Sequence, residues 1–354
     1  MKKLFSSVLV LLSLPGFSME PKTAQFVERE VHFVSNDIDD PVILSGTLTL
    51  PKEGALHPVV IFISGAGPYS RGNLEEPFDV LARKFAELGV GSLNFDKRGS
   101  GKSTGVYITA TTLDHAKDVE GAIKYLKTLK DVNKIGLFGH SEGGLIATML
   151  GAWRTDLSFI MLYGAPAMKL DELNRIRKVE QVEKAIASGA PKDQGRAILK
   201  MYKALDEQVQ SLDLEENKAL ALAKDVLMKT GLDAGLDQKT AEYLTNGFLD
   251  EYKHRTSFTW FRAASKINPI RYFELITRDT PVLVVNGEAD DVVPYKLNIP
   301  LIQEALAKAK VKAEIVTVPN VLHHFNSNEQ GNRPGVAKEL MDVFTSWLKR
   351  NVVR

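Results

Sequence analysis

Residues 134–150 read KIGLFGHSEGGLIATML, and this stretch decides the fold. An apolar run (Ile135, Leu137, Phe138) breaks at Gly139-His140-Ser141-Glu142-Gly143 and resumes in helix formers, Leu145, Ile146, Ala147, Met149 and Leu150. Strand, sharp turn and helix therefore follow without a linker. A serine at the apex of such a turn is held in a strained backbone conformation with its hydroxyl pushed into a cleft, and the flanking glycines let strand and helix approach without a Cβ clash. Ser141 is the expected nucleophile, with the N–H of Glu142 beside it at the helix start. G-x-S-x-G arises by chance in about one chain in ten of this length, so its meaning rests on its flanks.

Upstream, His57 to Ser64 is a continuous apolar run, the signature of a strand buried on both faces. It ends in the glycine-rich turn Ser64-Gly65-Ala66-Gly67-Pro68. On this topology the turn after the third strand supplies the second oxyanion-hole N–H, here assigned to Ala66. Two alternating stretches, Phe26 to Ser35 and Val42 to Leu50, predict an antiparallel hairpin ahead of the main sheet. Helices are expected over Pro77 to Leu88 and Leu113 to Leu129, and strands over Val90 to Phe95 and Leu157 to Gly164. Gly101-Lys102-Ser103 matches the tail of a phosphate-binding loop. That reading fails because Asp96 stands where the first glycine belongs and no helix pattern follows Ser103. Asp96 and Arg98 are expected instead to form an ion pair beneath the active-site loops.

Downstream, residues 167–267 lose strand character and carry apolar stripes at helical spacing, such as Leu173, Ile176, Val179, Val182 and Ile186. They read as a helical cap inserted between a first core part, 19–166, and a second, 268–354. The aromatic stripe Phe258, Trp260 and Phe261 is expected mainly to pack. Strand character returns at Pro281 to Asn286 and at Ala313 to Val318, with a final helix from about Gly335 to Lys349. Alternating strands and helices of this kind predict an α/β fold with a mostly parallel, doubly wound sheet.

Acyl transfer by serine needs a base to take the hydroxyl proton and a carboxylate to orient that base. In this fold the order is serine, acid, histidine, each in a loop at the C-terminal end of a strand. Ser141, then Asp290, then His323 or His324 follow that order. Asp291 is expected at the surface, and His140 is expected to point away from Ser141. A histidine base must be neutral, so activity should rise with pH across the ordinary imidazole range.

The chain resembles the α/β-hydrolase esterases related to dienelactone hydrolases and the catalytic domains of prolyl-oligopeptidase-like peptidases. The resemblance is carried by Ser64-Gly65-Ala66-Gly67-Pro68 with Arg71, the Asp96-Lys97-Arg98-Gly99-x-Gly101-x-Ser103 loop, Gly139-His140-Ser141-Glu142-Gly143-Gly144, and Trp260-Phe261 ahead of Pro281 to Asp290. Family members commonly carry Pro-Gly-Leu-Asn-His-Leu-Phe in the last loop. Laid on Pro319 to Phe325, that pattern implies His323 as base, with His324 the alternative. This chain departs from it at Leu322, where asparagine is usual. The resemblance implies a serine hydrolase of carboxylic esters with small to medium acyl chains. A peptidase is the nearest alternative, and a non-catalytic binding protein on the same fold the second.

Lys and Arg total 45 against 44 Asp and Glu in 354 residues, leaving no net field to attract nucleic acid or an anionic membrane. With 44% apolar residues the chain can bury a large core. No cysteine is present, so thiolate chemistry and thiolate metal sites are excluded. No cofactor or metal is expected, and the expected partner is a small-molecule ester. Lys2 and Lys3 precede the apolar segment Leu4 to Leu14 and then Pro15-Gly16-Phe17-Ser18, the three regions of an export signal cleaved after Ser18. The apolar segment is far shorter than the roughly twenty residues that span a bilayer. Export to the periplasm or beyond predicts a mature protein beginning at Met19. N-terminal sequencing of the exported fraction checks this, and an intact Met1 there would contradict it.

Overall fold

Short apolar runs without polar alternation build the centre of one eight-stranded sheet. The structure is a computed structural model that describes residues 25–254, 256–331 and 335–353; the expected export signal, residues 1–18, lies outside them. The strands are β1 (Phe26–Val34), β2 (Ile43–Pro51), β3 (His57–Ile63), β4 (Gly91–Phe95), β5 (Val132–His140), β6 (Phe159–Tyr163), β7 (Val282–Gly287) and β8 (Ala313–Val318). Their order is β1-β2-β4-β3-β5-β6-β7-β8. From β4 to β8 all neighbours are parallel, while β2 pairs antiparallel with both β1 and β4. The N-terminal hairpin forms as expected and joins the sheet as its edge, since β2 pairs with β1 on one side and with β4 on the other.

The period-two geometry of a strand sends alternate residues to opposite faces, so a strand apolar throughout must be covered on both. On β3, Val60 and Phe62 face one layer with α1 (Phe78–Ala86), while Val59 and Ile61 face the other with α2 (Thr112–Lys127) and α3 (Glu142–Trp153). Thr111 caps α2 in a reciprocal box with Asp114, which fixes where the helix starts.

Between β6 and β7 the chain runs through α4 (Leu170–Ala187), α5 (Lys192–Leu205), a π-helical turn (Asp206–Gln210), α6 (Glu216–Asp233), α7 (Gln238–His254) and α8 (Phe258–Ser265). From α5 to α8 the helices share a small core around Met201, Leu205, Leu227 and Phe258. Of the expected stripe on α4, only Leu173 and Val182 are buried. Ile176, Val179 and Ile186 are half-exposed, and Val179 borders a cavity that α4 helps to roof. After the short α9 (Pro269–Phe273) the sheet resumes, and α10 (Tyr295–Ala309) and α11 (Lys338–Asn351) cover opposite faces. Among the described residues no helix is long and apolar enough to cross a membrane.

The expected Asp96–Arg98 ion pair does not form. The chain turns at residues 98–101 and swings Arg98 toward α2, where Nε and Nη2 donate to the Asp118 carboxylate at 2.9 and 2.8 Å. Asp96 instead accepts from Arg71 Nε and Nη2 at 3.1 and 3.0 Å, and from the backbone N–H of Arg71 and Lys102. Burial acts to raise the Asp96 carboxyl, but these donors outweigh it and hold it below the ordinary range. A carboxyl lowered in the folded state adds stability that is fully present above about pH 4 and is lost as pH falls from there through the lowered folded-state value. The stability gap between wild type and Asp96→Asn, measured by urea unfolding, should therefore be largest near pH 7 and shrink toward pH 3. A gap constant with pH would contradict this.

Candidate active site

Between β5 and α3 the chain turns on one residue. Ser141 sits at φ 54° and ψ −118°, a strained conformation for a side chain with a Cβ. Its N–H donates to Tyr163 O on β6 at 3.0 Å, which anchors the turn to the sheet. The close approach leaves no room beside it: a Cβ on Gly139 would lie 2.2 Å from Gly143 O, and one on Gly143 would lie 1.9 Å from Ile63 O at the end of β3.

The loops after β7 and β8 bring a carboxylate and an imidazole to the same sheet edge. Asp290 Oδ1 accepts the backbone N–H groups of Val292 and Val293 at 2.9 and 2.7 Å, and Oδ2 lies 2.8 Å from His323 Nδ1. Burial acts to raise the Asp290 carboxyl, but His323 and the two amides overcome it and hold it below the ordinary range. Asp291 is exposed. The ring of His324 stands edge-on to that of His323 with centroids 5.2 Å apart, and both line the cavity that Ser141 faces. Tyr163 Oη donates to Leu322 O, fixing the backbone just before His323.

His140 is buried at the cavity wall and has partners that sequence reasoning missed. Its Nε2 donates to His323 O at 3.0 Å, and its Nδ1 lies 2.5 Å from Glu76 Oε1. The same Glu76 oxygen accepts the N–H of Gly65 at 2.7 Å. Gly65 O in turn accepts from Lys97 Nζ at 2.7 Å, and Lys97 also reaches Glu142 Oε2 at 3.0 Å.

The Glu142 carboxylate is fully enclosed. Thr112 Oγ1 and Trp260 Nε1 donate to its other oxygen at 2.8 and 2.6 Å, and His115 Nδ1 lies 3.4 Å away. Desolvation opposes its charge, yet Lys97 and these neighbours hold the carboxyl well below the ordinary range. Of the aromatic stripe on α8, Phe258 packs on Tyr252 with centroids 4.1 Å apart. Trp260 and Phe261 also border the cavity.

That cavity has a volume of about 1000 Å³. Gly65, Ala66, Ser141, Glu142 and His323 line it on the sheet side, and Leu173, Val179, Phe248 and Phe261 on the helical side. Among the described residues no group of three or more His, Cys, Asp or Glu side chains could hold a metal ion.

A serine at a strained strand-to-helix turn, on a mostly parallel sheet flanked by helices, defines an α/β hydrolase fold. A family model described as serine aminopeptidase, S33, matches residues 55–330, and the chain belongs to that family. It is also similar to esterase EstD of Thermotoga maritima, at 26% identity over 133 residues, which is 37% of this chain and 32% of that protein. The match thus spans about a third of that relative. Among solved structures, the Pyrococcus furiosus esterase Pf2001 superposes with a TM-score of 0.59 at 18% identity, covering 95% of this chain and 96% of that one. Est1E of Butyrivibrio proteoclasticus, bound to ferulic acid, gives 0.53 at 19% identity over 89% of this chain and 96% of that one. At these identities the two structures speak to the fold.

Proposed function

We propose that the protein is an exported serine hydrolase that cleaves carboxylic esters through an acyl-enzyme. The observation that carries this is the convergence of strained Ser141 with the His323–Asp290 pair, joined at 2.8 Å, on one cavity. Ser141 Oγ bonds to the substrate carbonyl carbon as His323 Nε2 takes its proton. The tetrahedral intermediate collapses, the bond to the alcohol oxygen breaks, and His323 returns the proton to that oxygen. Water then repeats the sequence on the acyl-enzyme and frees the acid. Asp290 holds His323 by Nδ1, which leaves Nε2 to face the serine. The N–H groups of Glu142 and Ala66 receive the charge that develops on the carbonyl oxygen, each such donor contributing on the order of 3 kcal/mol.

The largely apolar walls and a cavity of about 1000 Å³ suit a small-molecule ester with a small to medium acyl chain. The sequence similarity to esterase EstD supports an ester substrate. The family description, serine aminopeptidase, supports a second reading in which the same groups cleave an amide.

Hydrolysis of short p-nitrophenyl esters by the mature protein, beside a peptide panel, separates the two. Ser141→Ala and His323→Ala should each lose at least a thousandfold in kcat, and His324→Ala should stay within about tenfold of wild type. If Ser141→Ala matched wild type, the serine mechanism would fall. If His324→Ala failed while His323→Ala did not, the base would be His324. Turnover of peptides without esters would establish the second reading.

A further inference from the structure

We infer that Glu76 and Lys97 are positioning residues that together aim the Ala66 N–H at the reacting carbonyl oxygen. The inference rests on the serine-hydrolase reading above. A trans peptide is planar, so the C=O of Gly65 and the N–H of Ala66 point in opposite directions. No described peptide bond is cis. Lys97 Nζ, 2.7 Å from Gly65 O, therefore sets the direction of the Ala66 N–H from the far side of the same peptide. One peptide earlier, Glu76 takes the Gly65 N–H at 2.7 Å and stops the loop from rotating about Gly65. A glycine at this point would otherwise leave the backbone free to turn.

Each of the two holders is also tied to one flank of the nucleophile. Glu76 meets His140, the residue before Ser141, at 2.5 Å, and His140 continues to the backbone of His323 at 3.0 Å. Lys97 meets Glu142, the residue after Ser141, at 3.0 Å. The two N–H groups assigned to the oxyanion, the serine and the backbone of the base are thus registered against one another by two short buried chains. Lys97, Glu142, Glu76 and His140 have side chains no more than 6% exposed. A buried ion pair is weak evidence for stability, because well-packed apolar residues of similar volume often serve as well. What an apolar pair could not supply is the direction of the Gly65–Ala66 peptide.

The test compares wild type with Lys97→Met/Glu142→Gln, Glu76→Leu and Glu76→Gln, with Ser141→Ala as control. The double variant removes both charges and leaves no unpaired ion in the interior. Glu76→Gln keeps an acceptor for the Gly65 N–H. Three readouts are taken on folded protein: kcat, KM on a p-nitrophenyl ester, and the Ki of a trifluoromethyl ketone, which forms a tetrahedral adduct with a serine. Misdirecting one donor should lower kcat tenfold to a hundredfold in the double variant and in Glu76→Leu. KM should stay within about threefold, and the trifluoromethyl ketone should weaken by the same factor as kcat. Glu76→Gln should recover most of the loss. Folded variants with wild-type kcat and Ki would overturn the inference while an inactive Ser141→Ala left the hydrolase reading standing. A loss in KM alone, or one that Glu76→Gln does not relieve, would also overturn it. An active Ser141→Ala would remove the reading on which the inference rests.

Discussion

The site depends on a steric constraint: β5, α3 and the end of β3 meet at backbone contact. The first turn of α3 lies so close to Ile63 O and to Gly139 that glycine is required at positions 139 and 143. That approach forces Ser141 to a positive φ and lifts its side chain toward the cavity. The same approach places the Gly65–Ala66 turn, which continues directly from β3, across from the start of α3. Ser141 and the facing loop therefore share one origin in the packing of two adjacent parallel strands.

Around this contact the interior is polar, which a protein core tolerates only where each group finds a partner. Asp290 is satisfied by two amides and His323, Asp96 by Arg71 and Lys102, Asp118 by Arg98, and Glu142 by Lys97, Thr112 and Trp260. The bond from Trp260 matters for the helical insertion as well. Trp260 belongs to α8, so the insertion reaches through one indole N–H to Glu142, the residue after Ser141. The cavity wall and the Ser141 turn are in this way connected through a single carboxylate.

The sheet was legible because short, mostly apolar runs of strand length, bounded by glycine- and proline-rich turns, alternate with longer helical stretches. Ser141, Asp290 and His323 stood out through chain order and position after strands, and the structure brings these three to one edge. The side chains of Glu76, Lys97 and Glu142 were not legible. Charged residues in turns ordinarily face water, and only tertiary packing reveals that these three are enclosed. A signal was present in Glu142, since a carboxylate at the first residue of an otherwise apolar helix needs a buried donor. Asp96 and Arg98 show the opposite failure: nearness in sequence suggested a pair, and the turn between them gave each a partner from elsewhere. The edge position of the N-terminal hairpin was hidden for a similar reason, because alternation identifies a strand without naming its neighbour.

The central claim is that Ser141 is an activated nucleophile, and covalent labelling tests it most directly. The purified protein would be treated with a small fluorophosphonate, digested and mapped by mass spectrometry, beside His323→Ala. The account predicts one adduct per chain, on the peptide carrying Ser141, with labelling slowed at least a hundredfold in the variant. Labelling at another residue, or an equal rate in His323→Ala, would contradict it.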